Sequence, residues 1–160
     1  MIRHSTLVGR SADEFHRRTP PSSPVLAIER YEIEGPSLVL GSSQVESDLD
    51  VGVCDRLGID CVRRASGGGG VLLLPRQHLW VDVFVPRGHH RWDDDLPRSF
   101  EWIGDVWREV LGVHGWGFHV HRGHLVSSDW SARCCFAGRG PGEVYDESGR
   151  KAVGISQRRT

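Results

Sequence analysis

The stretch RRASGGGGVLLLP, residues 63–75, joins two arginines to four consecutive glycines and then to an apolar run. Glycine loses more conformational entropy on folding than any other residue, so an ordered run of four needs a reason. Glycines let backbone N–H groups converge on an anion, and Arg63 and Arg64 add charge that suits a phosphate or carboxylate. No lysine follows the glycines as in a Walker loop, and a strand rather than a helix is predicted next. The stretch therefore indicates either an anion-binding loop or a plain flexible connection.

Composition narrows the class of protein. The 160 residues suffice for a domain with a hydrophobic core, and the hydrophobic content of 38%, charged content of 26% and net charge of −1 are those of a globular chain. The near-neutral charge argues against a general nucleic-acid binder. No long apolar run or signal-peptide pattern occurs, so we expect a cytoplasmic protein without a membrane segment. The four cysteines include an adjacent pair, Cys134 and Cys135, and predict no disulfide framework.

The chain pattern predicts more strands than helices. Strands are expected over residues 25–33, 37–41, 60–64, 71–74, 79–85, 117–121 and 151–156. We expect 71–74 and 79–85 to pair with each other around Pro75, and residues 134–151 to form loops or a hairpin. The fold class that follows is α+β, with a mixed, mostly antiparallel sheet flanked by helices.

Two helices and a lead-in complete this pattern. A short helix is predicted over 48–57, with Asp48 as N-cap and Gly58 as its stop, and a long one over 95–112, with Asp95 as N-cap and Gly112 as its end. Residues 1–24 are expected to be a loosely ordered lead-in, because they are polar and end in TPPSSP. Residues 25–160 are expected to form the main folded domain.

Lys151 is the only lysine of the chain, and it begins the small-residue segment KAVGIS. A lysine ammonium is a compact charge that can approach a reacting centre, although most lysines are simply exposed surface residues. Cys135 is either a small packed residue or a nucleophile activated by a nearby cation. The histidines that cluster after the long helix are not completed by carboxylates or cysteines at zinc spacing, so we predict no metal ligands; they are His114, His119, His121 and His124.

Three stretches taken together resemble the lipoate–protein ligase family, which shares its catalytic domain with biotin ligases and octanoyltransferases. They are VRRASGGGGV at 62–71, LVLGSSQ at 38–44 and GRKAVGISQRR at 149–159. The resemblance implies that residues 25–160 are the N-terminal part of a lipoate–protein ligase-like catalytic domain, with a biotin/lipoate ligase-like fold similar to class II synthetases. It also implies a fold that is incomplete at its C-terminus, since family members continue beyond the lysine strand. Leu73 and Leu74 stand where the family has a histidine and an aspartate, and Gly70 where it has an alanine, which implies a more apolar pocket.

The resemblance also implies a reaction. Lipoate or octanoate would be activated with ATP as acyl-AMP, Mg²⁺ being expected with the nucleotide, and passed to a lysine of a lipoyl carrier domain. The carriers would belong to 2-oxoacid dehydrogenases or be the glycine cleavage H protein. Lys151 would be catalytic, binding the phosphate and the acyl carbonyl oxygen, while Arg64 would steady the nucleotide phosphates and 71–74 would line the acyl tunnel. The implied substrate-binding residues are Arg64, Ser66, Gly67, Gly68, Gly69, Gly70, Val71, Leu72, Gly154 and Ser156.

Two alternatives remain within this resemblance. Some octanoyltransferases of the group use a cysteine in a Cys-Phe motif, and Cys135-Phe136 stands at that place. Cys135 would then take octanoate from acyl carrier protein as a thioester without ATP, and Lys151 would lower the pKa of its thiol. Alternatively, the chain is non-catalytic, or is half of a ligase that needs a second chain.

Overall fold

The computed structural model describes residues 2–9, 11–22, 24–45 and 49–159. The chain divides into two compact units, Met1–His90 and Arg91–Thr160. The first unit contains, in order, β1 (Arg3–Gly9), α1 (Ala12–His16), β2 (Ala27–Ile33), β3 (Ser37–Leu40), α2 (Val51–Leu57), β4 (Asp60–Arg63), β5 (Val71–Leu73) and β6 (Trp80–Phe84). The second contains α3 (Leu96–Gly112), β7 (Phe118–Val120), a 3₁₀ turn (Cys135–Ala137), β8 (Val144–Asp146) and β9 (Lys151–Val153).

The strands of the first unit form two three-stranded sheets, in the orders β1-β2-β6 and β4-β3-β5. In each sheet the central strand has one parallel and one antiparallel neighbour. The prediction that β5 and β6 pair with each other is wrong, because β5 pairs with β3 and β6 with β2. Residues 74–79 separate the two strands, a longer connection than most hairpin loops, and each strand joins the open edge of a different central strand.

Residues 1–24 were expected to be a loosely ordered lead-in, and the structure corrects this where they form β1 and α1. All seven residues of β1 pair with β2, and Ala12 of α1 is completely buried beside Val39 and Val62. Phe15, also on α1, packs on Tyr31 with ring centroids 4.6 Å apart. This part of the chain is ordered because a five-residue helix places two apolar side chains in the core. A helix of five residues is too short to show a helical period in the sequence.

The helix boundaries follow the predicted caps in part. α2 begins after Asp50, whose side chain accepts a hydrogen bond from the Val53 N–H, and it ends at Gly58 in the left-handed conformation, as predicted. Asp48, the expected N-cap, lies outside the described residues. Asp95 caps α3 as predicted by accepting from the Arg98 N–H. The helix ends at Gly112, as predicted, and Val113 is its C-cap.

The second unit holds an antiparallel sheet in the order β7-β8-β9, against which α3 packs. Residues 134–151, expected as loops or a hairpin, contain the 3₁₀ turn and β8, and β8 pairs with β9. The strand predicted over 151–156 is shorter than expected, because β9 ends at Val153. Among the strands of the described residues, two pairings are parallel and four antiparallel. The predicted α+β class with mixed, mostly antiparallel pairing is therefore confirmed.

Close approach of two glycines fixes α3 against the chain before β8. A Cβ added to Gly104 would lie 2.1 Å from the Gly142 carbonyl oxygen. We expect Gly104→Ala to destabilise the fold by about 1–3 kcal/mol, because the helix must move away. Gly112→Ala is the matched control, since a Cβ there meets nothing within 4 Å, and we expect it to stabilise the same helix by about 0.5–1 kcal/mol. Urea unfolding measures both; equal effects would contradict the packing argument.

Candidate active site

Arg64 organises the glycine loop from inside the first unit. The residue is 7% exposed, and its Nη2 donates to the carbonyl oxygens of Gly67 at 2.8 Å and Gly69 at 2.9 Å. Its Nη1 lies 3.4 Å from the carbonyl oxygen of Val39 on the neighbouring strand β3. Arg64 thus holds the loop's carbonyls inward, while the contact with nucleotide phosphates expected of it stays a prediction.

A second contact sets the loop against the turn after β3. A Cβ added to Gly41 would lie 1.8 Å from the carbonyl oxygen of Gly68, so both chains need to be free of side chains here. Gly68 has φ of 97°, which glycine adopts readily, and the Ser42 N–H donates to the Ser66 carbonyl at 3.0 Å. The predicted motif LVLGSSQ therefore packs directly against the glycine loop.

The residues after the loop divide between core and surface. Val71 and Leu72 pair with Val39 and Leu38 of β3, and Leu72 is 51% exposed. Leu73, at the position where a family histidine was expected, packs against the hydrophobic core. Nothing in these contacts tests whether the segment lines an acyl tunnel, and that remains a prediction.

His16 of α1 is a titratable neighbour of this loop that the sequence analysis did not single out. Its ring packs on Trp80 with centroids 4.8 Å apart. Burial, and next the positive charge of Arg64, lower the pKa of His16. A five-residue helix in a polar segment offered no sequence signal for this placement.

Lys151 lies buried in the second unit. Its side chain is 2% exposed, and Nζ lies 2.7 Å from Oε2 of Glu143, whose side chain is 5% exposed. Nζ also donates to the carbonyl oxygen of Cys135 at 2.9 Å. An ammonium group carries three N–H donors, and no partner for the third is found in the described part of the chain.

Glu143 is a residue of the candidate site that the sequence analysis missed. Besides Lys151, its Oε2 accepts from the Gly140 N–H at 2.6 Å and lies 2.9 Å from the Tyr145 hydroxyl. Burial and the bond to Glu143 raise the pKa of Tyr145, so the phenol stays protonated and can donate. The spacing offered only a partial signal: Glu143 lies directly before β8 and two residues from Tyr145, and Lys151 pairs with Tyr145 from β9.

The other predicted site residues of this unit differ in whether they contact the Lys151 cluster. Cys135 is half-buried in the 3₁₀ turn, and its recorded contact with Lys151 is made by the carbonyl oxygen. A Cβ added to Gly154 would lie 3.3 Å from the Phe136 ring, and that ring lies beneath the ammonium at 5.5 Å. Ser156 is exposed and lies beyond the end of β9. The structure thus brings Lys151, Cys135 and Gly154 together, and no hydrogen bond from Ser156 to this group is found among the described residues.

The turn that positions Lys151 is built on one carboxylate. Asp146 accepts from the backbone N–H groups of Ser148 at 3.0 Å and Arg150 at 2.9 Å, and from both of their side chains. The hydrogen bonds from Ser148, then from the Arg150 backbone, lower the pKa of Asp146 to about 2. Gly149 completes the turn with φ of 81°.

The predicted glycine loop belongs to the first unit and the Lys151 cluster to the second, and each is a separate preformed feature. Within the described residues, no three His, Cys, Asp or Glu side chains are grouped closely enough to hold a metal ion. None of the helices in the described ranges is both long and apolar enough to cross a bilayer.

The fold and these motifs place the chain in a family. The model of the lipoyl protein ligase A/B catalytic domain matches residues 13–160, and the chain belongs to that family. The match confirms the resemblance found in the three sequence stretches. No curated protein sequence is significantly similar to the chain.

Two solved structures have the same fold. Both are of protein Ta0514 from T. acidophilum, described as a candidate lipoate protein ligase. The one with bound lipoic acid has 21% identity and a TM-score of 0.58, covering 73% of this chain and 49% of that one. The other has 20% identity and a TM-score of 0.60, covering 79% and 51%. This chain thus spans about half the length of the structures it matches.

The Glu143–Lys151 pair predicts a coupled loss of stability. Because a buried charge without its partner is strongly unfavourable, we expect Glu143→Gln to destabilise the protein by about 3–5 kcal/mol. Glutamine keeps an acceptor for Gly140 and Tyr145, so the change isolates the charge. Glu143→Gln with Lys151→Met should recover at least half of that loss. A double-mutant cycle from urea unfolding measures this coupling, and additive single effects would contradict it.

Asp146 predicts a pH-dependent contribution to stability. Its folded pKa of about 2 lies below the ordinary value of 3.8. The carboxylate therefore stabilises the hairpin fully above the ordinary pKa, and this contribution is lost as pH falls through about 2. We expect Asp146→Asn to be less stable than the parent at pH 7, with the difference shrinking between about pH 4 and pH 2. Denaturant unfolding at several pH values checks this; a pH-independent difference would contradict it.

Proposed function

We propose that the chain activates lipoate or octanoate with ATP as acyl-AMP and transfers the acyl group to a lysine of a lipoyl carrier domain. The observation that carries this proposal is the donor count at Lys151. Two of its three protons are engaged by Glu143 and Cys135, and one is left for a ligand oxygen. Family membership supports the same class of reaction.

In the first step, a carboxylate oxygen of the fatty acid attacks the α-phosphorus of ATP, and pyrophosphate leaves. The N–H groups of Gly67 to Gly70 would receive the phosphate, since Arg64 already turns the Gly67 and Gly69 carbonyls inward. Arg64 is then a positioning residue for the loop. Mg²⁺ is commonly carried by substrate phosphates and water, and we propose no protein ligand for it.

In the second step, the amine of the carrier lysine attacks the acyl carbonyl carbon, AMP leaves with the bonding electrons, and the amine loses a proton. Negative charge develops on the carbonyl oxygen during this attack. The remaining Lys151 proton would stabilise that oxygen, and a preorganised donor in a site shielded from water is worth more than one in solution. Glu143 would keep the ammonium oriented throughout.

A second candidate is the cysteine-dependent octanoyltransferase, which the position of Cys135 next to Lys151 supports. The Cys135 thiolate would attack octanoyl carrier protein, releasing the pantetheine thiol and forming a thioester. The carrier lysine would then attack that thioester and restore the thiol. Octanoyl carrier protein and a lipoyl domain would be its partners, and ATP would not be required.

An acyl-transfer assay onto a purified lipoyl domain, followed by intact mass, separates the two. We expect lipoyl or octanoyl transfer only with ATP, and a loss of about 10²–10³ in rate for Lys151→Met. The variant combining Glu143→Gln with Lys151→Met serves as a control for folding, because it leaves no unpaired buried charge; it should be equally impaired.

Two other outcomes of this assay would each indicate a different function. Transfer without ATP, through an enzyme adduct that Cys135→Ala abolishes and the neighbouring Cys134→Ala preserves, would replace the ligase by the transferase. A bound acyl adenylate without turnover would indicate a chain that acts together with a second subunit.

A further inference from the structure

The first unit contains an open cleft of about 740 Å³ that the proposed chemistry does not use. It lies between the ends of β1 and β2 and the segment 75–79 that follows β5. This volume falls within the range of sites that bind ligands. Two of its apolar side chains, Val8 and Leu79, are 61% and 56% exposed. Exposed apolar groups ringed by charge are typical of an interaction surface.

Arg76, in the wall of this cleft, has φ of 60° and is the one residue other than glycine with positive φ in the described ranges. The turn is fixed, because the Gln77 N–H donates to the Leu74 carbonyl at 3.1 Å and His78 Nδ1 donates to the same oxygen at 2.8 Å. Glycine or asparagine would adopt this conformation more easily. An arginine held there points to a role for its side chain.

The charges of the cleft are only partly compensated. Arg30 and Glu32 pair with each other on β2. Neither the Arg76 guanidinium nor the Glu34 carboxylate has a hydrogen-bond or ion-pair partner among the described residues. The cleft therefore offers one unpaired cation and one unpaired anion beside an apolar surface, and this pattern is complementary to a segment of mixed charge.

We propose that this cleft docks the acceptor protein of the transfer reaction, a lipoyl domain, through a surface segment that presents a carboxylate to Arg76, a basic group to Glu34 and an apolar side chain between them. The inference rests on the proposed function. Strand β5 connects the glycine loop to this cleft, and the four residue steps from Gly70 to Leu74 span about 13 Å. A globular domain of about 100 residues has a radius of gyration of about 13 Å, so a domain docked at this cleft is wide enough to cover the glycine loop as well.

Arg76→Gly tests the proposal in the full chain, because glycine suits the backbone and removes only the side chain. We expect the KM for a purified lipoyl domain to rise about tenfold to a hundredfold, since a charge-assisted hydrogen bond is lost. The kcat and lipoate-dependent adenylate formation should stay unchanged, and the unfolding midpoint should stay equal or rise. Arg76→Asn should behave alike and serves if the glycine variant folds poorly.

Arg56→Gln is the matched control, because it removes an exposed arginine of the same unit on α2. It should leave the KM for the lipoyl domain unchanged. An unchanged KM in Arg76→Gly, an equal rise in Arg56→Gln, or a rise confined to the KM for lipoate would each overturn the docking proposal while the proposed function stands.

Failure of the proposed function is recognised separately, as absence of adenylate formation and of transfer in the parent chain. Calorimetric titration with the lipoyl domain then decides the docking question on its own. Binding by the parent that Arg76→Gly weakens at least tenfold supports the cleft, and equal binding, or none by the parent, overturns it.

Discussion

A cation that is removed from water has to be surrounded by oxygen atoms, and this constraint shapes both units of the chain. In the first unit, Arg64 draws the Gly67 and Gly69 carbonyls inward and so determines the path of the glycine loop. In the second, Lys151 draws in the Glu143 carboxylate and the Cys135 carbonyl. Each loop conformation therefore depends on a buried charge. The flexibility suggested by the glycine run is restricted by the arginine that precedes it.

The two cations are not interchangeable, and their chemistry explains which stands where. A guanidinium is a planar fork that can hold two carbonyls at once, as Arg64 does. An ammonium is a compact donor with three protons that can be shared between protein and ligand. The chain uses arginine for every other basic side chain, but keeps its single lysine where one donor is left over. Glycine plays a matching part: Gly41 and Gly104 are positions where a side chain would collide with a neighbouring carbonyl.

Local signals in the sequence were sufficient for some features and not for others. The caps Asp95 and Gly58, the β8–β9 hairpin and the joint occurrence of three motifs depend on neighbouring residues, and were predictable. The exchange of partners between β5 and β6 depends on which sheet edges are open, and no short window of sequence records that. Glu143 was missed because an ion pair across a hairpin with a shifted register is set by tertiary structure.

The ion pair between Lys151 and Glu143 also helps to decide between the two candidate reactions. Activating a thiol requires a cation whose charge is available to stabilise the thiolate. Glu143 lies 2.7 Å from Nζ and opposes that charge, and the hydrogen bond to Cys135 goes to its carbonyl oxygen. Donating one hydrogen bond to a ligand oxygen does not require an uncompensated cation. The oxygen is stabilised by a directed hydrogen bond inside a site shielded from water. This arrangement suits stabilisation of an acyl oxygen better than activation of a cysteine, and it supports the ligase as the first proposal.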